Sequence, residues 1–280
     1  MIRAFGDRIT IFLNGALAVD YREEDPQIAR DGLIALQVHA GAPMEVQFKD
    51  VMIQRVPSPD DADPKTPGFH HRTVKTEQGD RKYTVYVPEG YEESKTYPAI
   101  LFLHGAGERG QDGDVQAQVG LGPAIVQRGG IPAIVVFPQA RETWQADSDD
   151  ARAALKALDD VSSTYRVDPK RIVVTGLSMG GMGTWSIAAK EPNKFAAILP
   201  VCGPGRAEDV PALLGLPIRG FVGDADSPRL HLGMRMLVEA LRNAGADVKY
   251  TEYRNVGHNS WDRAYNDPET LDWMLSQQRP

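Results

Sequence analysis

Ser178 stands in Gly176-Leu177-Ser178-Met179-Gly180, a Gly-x-Ser-x-Gly pattern. It follows the apolar run Arg171-Ile172-Val173-Val174-Thr175 and precedes a helix-compatible segment. Such a pattern sets a serine on a turn so tight that side chains two residues to either side have almost no room. A serine hydroxyl is a poor nucleophile near neutral pH and needs a hydrogen-bonded base, a task that suits histidine. Two histidines follow it in the chain. His231 falls inside a predicted helix and reads as a surface or capping residue, whereas His258 sits in Gly257-His258-Asn259-Ser260-Trp261, directly after the last predicted strand. Asp224 and Asp226, in Gly223-Asp224-Ala225-Asp226, end another predicted strand and are placed to orient such a base. Asp226 is favoured, because a residue further out on the loop can turn toward His258. A nucleophile, a base and an acid of these types would carry out acyl transfer through a serine-bound intermediate.

The elements that must position them alternate between strand and helix. His71 to Glu77 and Lys82 to Val87 form a predicted antiparallel pair. Buried, parallel-type runs follow at 99–103, 133–137, 171–175, 196–201, 218–222 and 248–253. Helices are predicted at about 115–128, 148–165, 180–190, 229–244 and 268–277. The pattern predicts an α/β fold, an eight-stranded mostly parallel sheet flanked by helices, over residues 69–280. An antiparallel start with the serine after the fifth strand resembles the α/β-hydrolase order, which implies the succession Ser, acid, His. That order implies an oxyanion hole from the backbone N–H groups of Ala106, in the Gly-rich stretch His104-Gly105-Ala106-Gly107-Glu108-Arg109-Gly110, and of Met179. His104, upstream of the serine, reads as a residue that holds this loop by hydrogen bonds.

The first 56 residues carry strand signals alone: 8–13 and 16–21 around Asn14-Gly15, a strong hairpin signal, then 32–39 and 46–56. This small all-β domain leaves one apolar face to be covered by the second domain or by another subunit, and the expectation is self-association into a homo-oligomer. Residues 57–68, with four prolines, read as an extended linker. Phe12-Leu13-Asn14-Gly15, the stretch Ile34 to Val46 and Phe48-Lys49-Asp50-Val51 resemble the closing strands of the concanavalin-like jelly roll of 3-keto-disaccharide-hydrolase-type domains. Only the end of that fold is matched, so the unit reads as a packing module, with His39 and Glu45 structural or solvent-facing.

Composition excludes several classes of function. A net charge of −7 and no basic run argue against a nucleic-acid partner. No apolar run reaches the length of a membrane span, and no signal peptide opens the chain, which gives the expectation of a cytoplasmic protein without a membrane partner. Cys202 is the single cysteine, so no intrachain disulfide can form. No Gly-Lys-Ser/Thr and no cluster of metal-ligand residues is present, and neither a metal nor any other cofactor is expected.

His104 to Gly110, Pro138-Gln139 with Trp144, the Ser178 motif, Gly223 to Asp226, and His258 to Trp261 with Ala264-Tyr265 together resemble the esterase group known as predicted peptidases. That group is similar to feruloyl, acetylxylan and polyhydroxybutyrate-cleaving esterases. The resemblance covers nearly all of residues 69–280 and implies a cofactor-free carboxylesterase acting on a small-molecule ester: short-chain, aryl or carbohydrate-linked. It implies Ser178, Asp226 and His258 as the triad, the acid of related hydrolases closing a Gly-x-x-Asp turn. Asn259 departs from the Asp common at that place. Glu108, Trp144 and Trp261 are the expected substrate-binding residues, the two tryptophans as aromatic walls. A serine peptidase using the same triad, or a carbohydrate-binding or assembly protein with a decayed hydrolase, are the alternatives.

Overall fold

The structure is a computed structural model that describes residues 2–5, 8–13, 16–23, 25 and 65–280. The chain divides into two units, Met1–Ala62 and Asp63–Pro280. In the first, β1 (Ile2–Phe5), β2 (Arg8–Leu13) and β3 (Ala16–Arg22) form an antiparallel sheet in that order. β2 and β3 match the hairpin predicted around Asn14-Gly15, while β1 had no sequence signal strong enough to single it out. The pairings Ile2↔Ile11, Ile11↔Val19 and Ile9↔Tyr21 gather apolar side chains on one face, where Ile2, Ile9 and Val19 are exposed. The strands expected at 32–39 and 46–56, His39, Glu45 and most of the predicted linker lie outside the described residues.

The second unit holds β4 (Gly68–Thr76), β5 (Gly79–Val87), β6 (Tyr97–Leu103), β7 (Ile134–Pro138), β8 (Val167–Leu177), β9 (Ala197–Val201), β10 (Ile218–Gly223) and β11 (Val248–Tyr253). They form one sheet in the order β11-β10-β9-β8-β6-β7-β5-β4. β4 and β5 run antiparallel, as does β5 against β7, and the other pairs are parallel. β6 and β7 are buried at every residue. Strands covered on both faces carry continuous apolar runs, which is why these segments are so legible in the sequence.

Among the described residues seven α-helices flank the sheet: α1 (Leu121–Gln127), α2 (Asp149–Thr164), α3 (Met179–Lys190), α4 (Val210–Leu213), α5 (Pro228–Asn243), α6 (Trp261–Asn266) and α7 (Pro268–Ser276). The Ser148 hydroxyl caps α2 by accepting from the Ala151 N–H, and Ala151, Ala154, Leu158 and Val161 bury one stripe of that helix. α4 and α6 were not expected, since four and six residues are too short to show a helical period.

From β6 the chain crosses to β7 on one side and then returns to β8 on the other. The strand order reverses between β6 and β8, and at such a switch point the loops leaving the carboxyl ends part to open a crevice. The loop after β6 carries His104 to Gly110; the turn after β8 carries Ser178.

Candidate active site

Ser178 joins β8 to α3 with φ 55° and ψ −114°, a conformation that non-glycine residues rarely adopt. A Cβ on Gly180 would lie 1.9 Å from the Leu103 carbonyl oxygen, and one on Gly176 would lie 2.5 Å from the Gly180 carbonyl oxygen. Glycine at both places therefore lets the turn press against β6. The turn is also tied sideways, its Ser178 N–H donating to the Val201 carbonyl at 2.9 Å.

The Ser178 hydroxyl lies 2.8 Å from His258 Nε2, and His258 Nδ1 lies 2.8 Å from Asp226 Oδ2. An ionised carboxylate can only accept, so Nδ1 carries the proton and Nε2 is left to accept from the serine. The Asp226 side chain is 3% exposed, and its second oxygen accepts from the Ser227 N–H at 2.6 Å. His258 retains 42% of its side-chain surface, which leaves the base open to solvent.

Asp224 is occupied elsewhere: its carboxylate accepts from the Asn255 N–H at 2.7 Å. With the Asp224 N–H to Tyr253 and the Ala225 N–H to Val256, it laces the loop of Asp226 to the loop of His258. Behind His258, α6 is held to β8 by the buried Tyr265 and Thr175 hydroxyls, 2.8 Å apart. His231, by contrast, sits on α5 beside Arg235 and Glu252, away from the triad.

Ala106 opens a 3₁₀ turn and Met179 opens α3. The first N–H of a helical turn has no partner within it, so both are available to an oxyanion. A Cβ on Gly105 would come within 3.7 Å of Ser178 Cβ, which sets the Ala106 loop against that serine. His104 braces the loop from beneath as a neutral ring, with Nδ1 donating to the Gly105 carbonyl at 2.6 Å and Nε2 accepting from the Ala140 N–H at 2.9 Å. Burial holds it down at about 4. Arg109 reaches over the site and donates to the Met179 sulfur at 3.2 Å.

The three expected substrate-binding residues fare differently. Trp261 stays at the site, its ring edge-on to His258 with centroids 5.4 Å apart. Trp144 does not: it is 1% exposed, and its Nε1 donates to the His104 carbonyl at 2.9 Å. It is a core residue under the loop of Gly105 to Gly110 and has no surface to offer a substrate. Glu108 turns back toward His104, with Oε2 buried, lacking a hydrogen-bond partner and 4.0 Å from His104 Nδ1. Burial raises its carboxyl above the ordinary range, against the backbone N–H groups of Gly105 and Glu108.

Gln139, marked in the sequence only by the resemblance that Pro138-Gln139 carries, is a brace. It donates to the Glu108 carbonyl and to Asp112 and accepts from the Gly113 N–H, so it holds both sides of the loop. Asp150 stands in the first turn of α2. It also pairs with buried Arg81 and accepts from the N–H groups of Arg141, Glu142 and Thr143. Cys202 is buried, and burial pushes its thiol up to about 12, which leaves it no nucleophilic character near neutral pH.

The sheet order and flanking helices give the second unit an α/β-hydrolase-like fold. Residues 75–208 match the family described as "Putative esterase", and residues 1–54 match the 3-keto-alpha-glucoside-1,2-lyase-like domain. The chain is 31% identical over 135 residues to a bifunctional acetylxylan esterase/xylanase of Neocallimastix patriciarum, covering 46% of this chain and 19% of that protein. It is 28% identical over 134 residues to feruloyl esterase D of Neurospora crassa, covering 44% and 45%. The chain thus spans less than half the length of these relatives. A solved thermostable esterase superposes with a TM-score of 0.70 at 30% identity, over 75% of this chain and 63% of that one. A feruloyl esterase module from Clostridium thermocellum, complexed with sinapinate, shares the fold with a TM-score of 0.60 at 19% identity, over 82% and 97%. The second unit accordingly has feruloyl and acetylxylan esterase homologues, and residues 1–54 before it are similar to the 3-keto-disaccharide-hydrolase domain.

Proposed function

We propose that the protein is a carboxylic-ester hydrolase acting through an acyl-enzyme on Ser178, with short-chain, aryl or carbohydrate-linked esters as substrates. The observation that carries this is the hydrogen-bonded succession Ser178–His258–Asp226 at a strained strand-to-helix turn. His258 Nε2 takes the hydroxyl proton as Ser178 Oγ bonds to the ester carbonyl carbon, and the N–H groups of Ala106 and Met179 hold the oxyanion. The C–O bond to the alcohol then breaks, and the departing oxygen takes the proton from His258. Water repeats the sequence on the acyl-enzyme and releases the acid. Asp226 keeps the proton of the resting imidazole on Nδ1 and stabilises the imidazolium. The exposure of His258 favours small or protruding esters over long buried lipid chains.

Ser178→Ala should abolish hydrolysis of p-nitrophenyl acetate while leaving the melting temperature near that of the parent; retained turnover contradicts the reading. Matched ester and amide substrates separate an esterase from a peptidase on the same triad. The exposed apolar face of the N-terminal sheet supports a further proposal, that copies of the chain associate through it. Sedimentation velocity should show an oligomer, and a monomer at all concentrations would refute this.

A further inference from the structure

On the same rim of the sheet as Ser178, a cavity of about 270 Å³ is lined by Thr73, Asp80, Arg81, Lys82, Gln139 and Arg141, with the backbone of Gly110 and the exposed Gln111 closing it. Nothing in the triad chemistry uses it. β5 runs antiparallel to β7 with Tyr83 opposite Pro138, which brings Arg81 and Lys82 to the carboxyl end of β7, beside Gln139. From β8 across β6 and β7 to β5 is three strand spacings, about 14 Å at roughly 4.8 Å each. The loop of Gly105 to Gly110 therefore has the nucleophile at one end and this cavity at the other.

The chemistry of the lining is one-sided. It contains no apolar side chain beyond the stems of its polar residues, so it does not suit an acyl chain or an aryl ring. Arg81 is neutralised by Asp150 in a buried pair. Lys82 and Arg141 remain against Asp80, which leaves the lining positive on a chain whose net charge is −7. Arg141 spends one terminal nitrogen on the Asp80 carbonyl at 3.3 Å, while its Nε is buried with no acceptor. Gln111 and Thr73 add neutral hydrogen-bonding groups suited to hydroxyls.

We propose that this cavity is a subsite for a carboxylate-bearing, hydroxyl-rich ring, a uronate unit, on the same substrate chain as the scissile ester. The placement on a substrate chain rests on the ester-hydrolase reading; the binding site itself does not. At three strands' distance the ester and the carboxylate belong to different units of that chain, so the cavity selects acidic over neutral carbohydrate esters.

The test is isothermal titration of Ser178→Ala protein with sodium glucuronate, with glucose and sodium phosphate as comparison solutes. Glucuronate should bind at least tenfold more tightly than either. Lys82→Met and Arg141→Gln, each added to that background, should weaken it at least fivefold with melting temperatures near the parent's. Lys82 is exposed, so its variant decides the matter alone if Arg141→Gln melts early. Glucuronate binding no tighter than glucose, phosphate binding as tightly as glucuronate, or variants that bind like the parent would each overturn the assignment. Turnover of p-nitrophenyl acetate by the unmutated protein is the separate test of the hydrolase reading. Its loss with glucuronate binding intact would strike the reaction and not the cavity.

Discussion

Two carboxylates leave the same strand end, yet only one can serve the base. Asp226 meets His258 Nδ1 at 2.8 Å, whereas Asp224 is spent on the Asn255 N–H at 2.7 Å. Asp226→Asn should lower kcat by on the order of 10³–10⁴, because the amide favours the wrong tautomer, while Asp224→Asn should change it only a few-fold. Steady-state kinetics on one p-nitrophenyl ester distinguishes them. His104 gives a second prediction at this scale. Its folded value of about 4 lies below the ordinary 6.5, so the neutral ring is the form the fold prefers. Stability is whole above pH 6.5 and falls as the pH drops toward 4, by about 3 kcal/mol at the lower end. Urea midpoints at pH 7 and pH 4 should therefore converge in His104→Gln relative to the parent. That Ser178, His258 and Asp226 would come together was legible because acyl-transfer chemistry demands those residue types after particular strands. Trp144 was not, since an aromatic residue on a loop has the same sequence signature whether it walls a pocket or roofs a core. Its indole bond to the His104 carbonyl is a tertiary fact.

The site depends on elements pressed closer than side chains permit. α3 starts where β8 ends because Gly180 lets the turn lie against Leu103 of β6. Gly180→Ala would drive a methyl into a backbone carbonyl 1.9 Å away and should cost about 3 kcal/mol or more, read from urea denaturation. The six-residue α6 has the opposite character: too short to announce itself by periodicity, it is positioned by Tyr265 against Thr175 and by the ring of Phe102, 5.7 Å away. Through it the His258 loop is referred to the strand that carries the nucleophile. The parallel strands were readable to within about two residues at most ends, since runs buried on both faces need no partner to be recognised. β8 is the exception: it begins at Val167, before the Arg171 that was expected, because Val167 pairs with Tyr97 across a register shift.

At the scale of the whole molecule, the sheet order turns these pieces into a site. The reversal between β6 and β8 brings two loops together that are some seventy residues apart in sequence, and the Ser178, Asp226 and His258 turns all leave carboxyl ends of the same sheet. Succession in the chain made this order readable; the cavity at β5 was not, because its cations come from an antiparallel strand and from the loop after β7. The proposed reaction requires that Ser178 become covalently acylated. Acid quench of the protein during turnover of p-nitrophenyl acetate, followed by mass analysis of its peptides, should find one acetyl group on the peptide that holds Ser178 and none in Ser178→Ala. Undiminished turnover with no acyl group on Ser178, or with the group on another residue, would contradict the account.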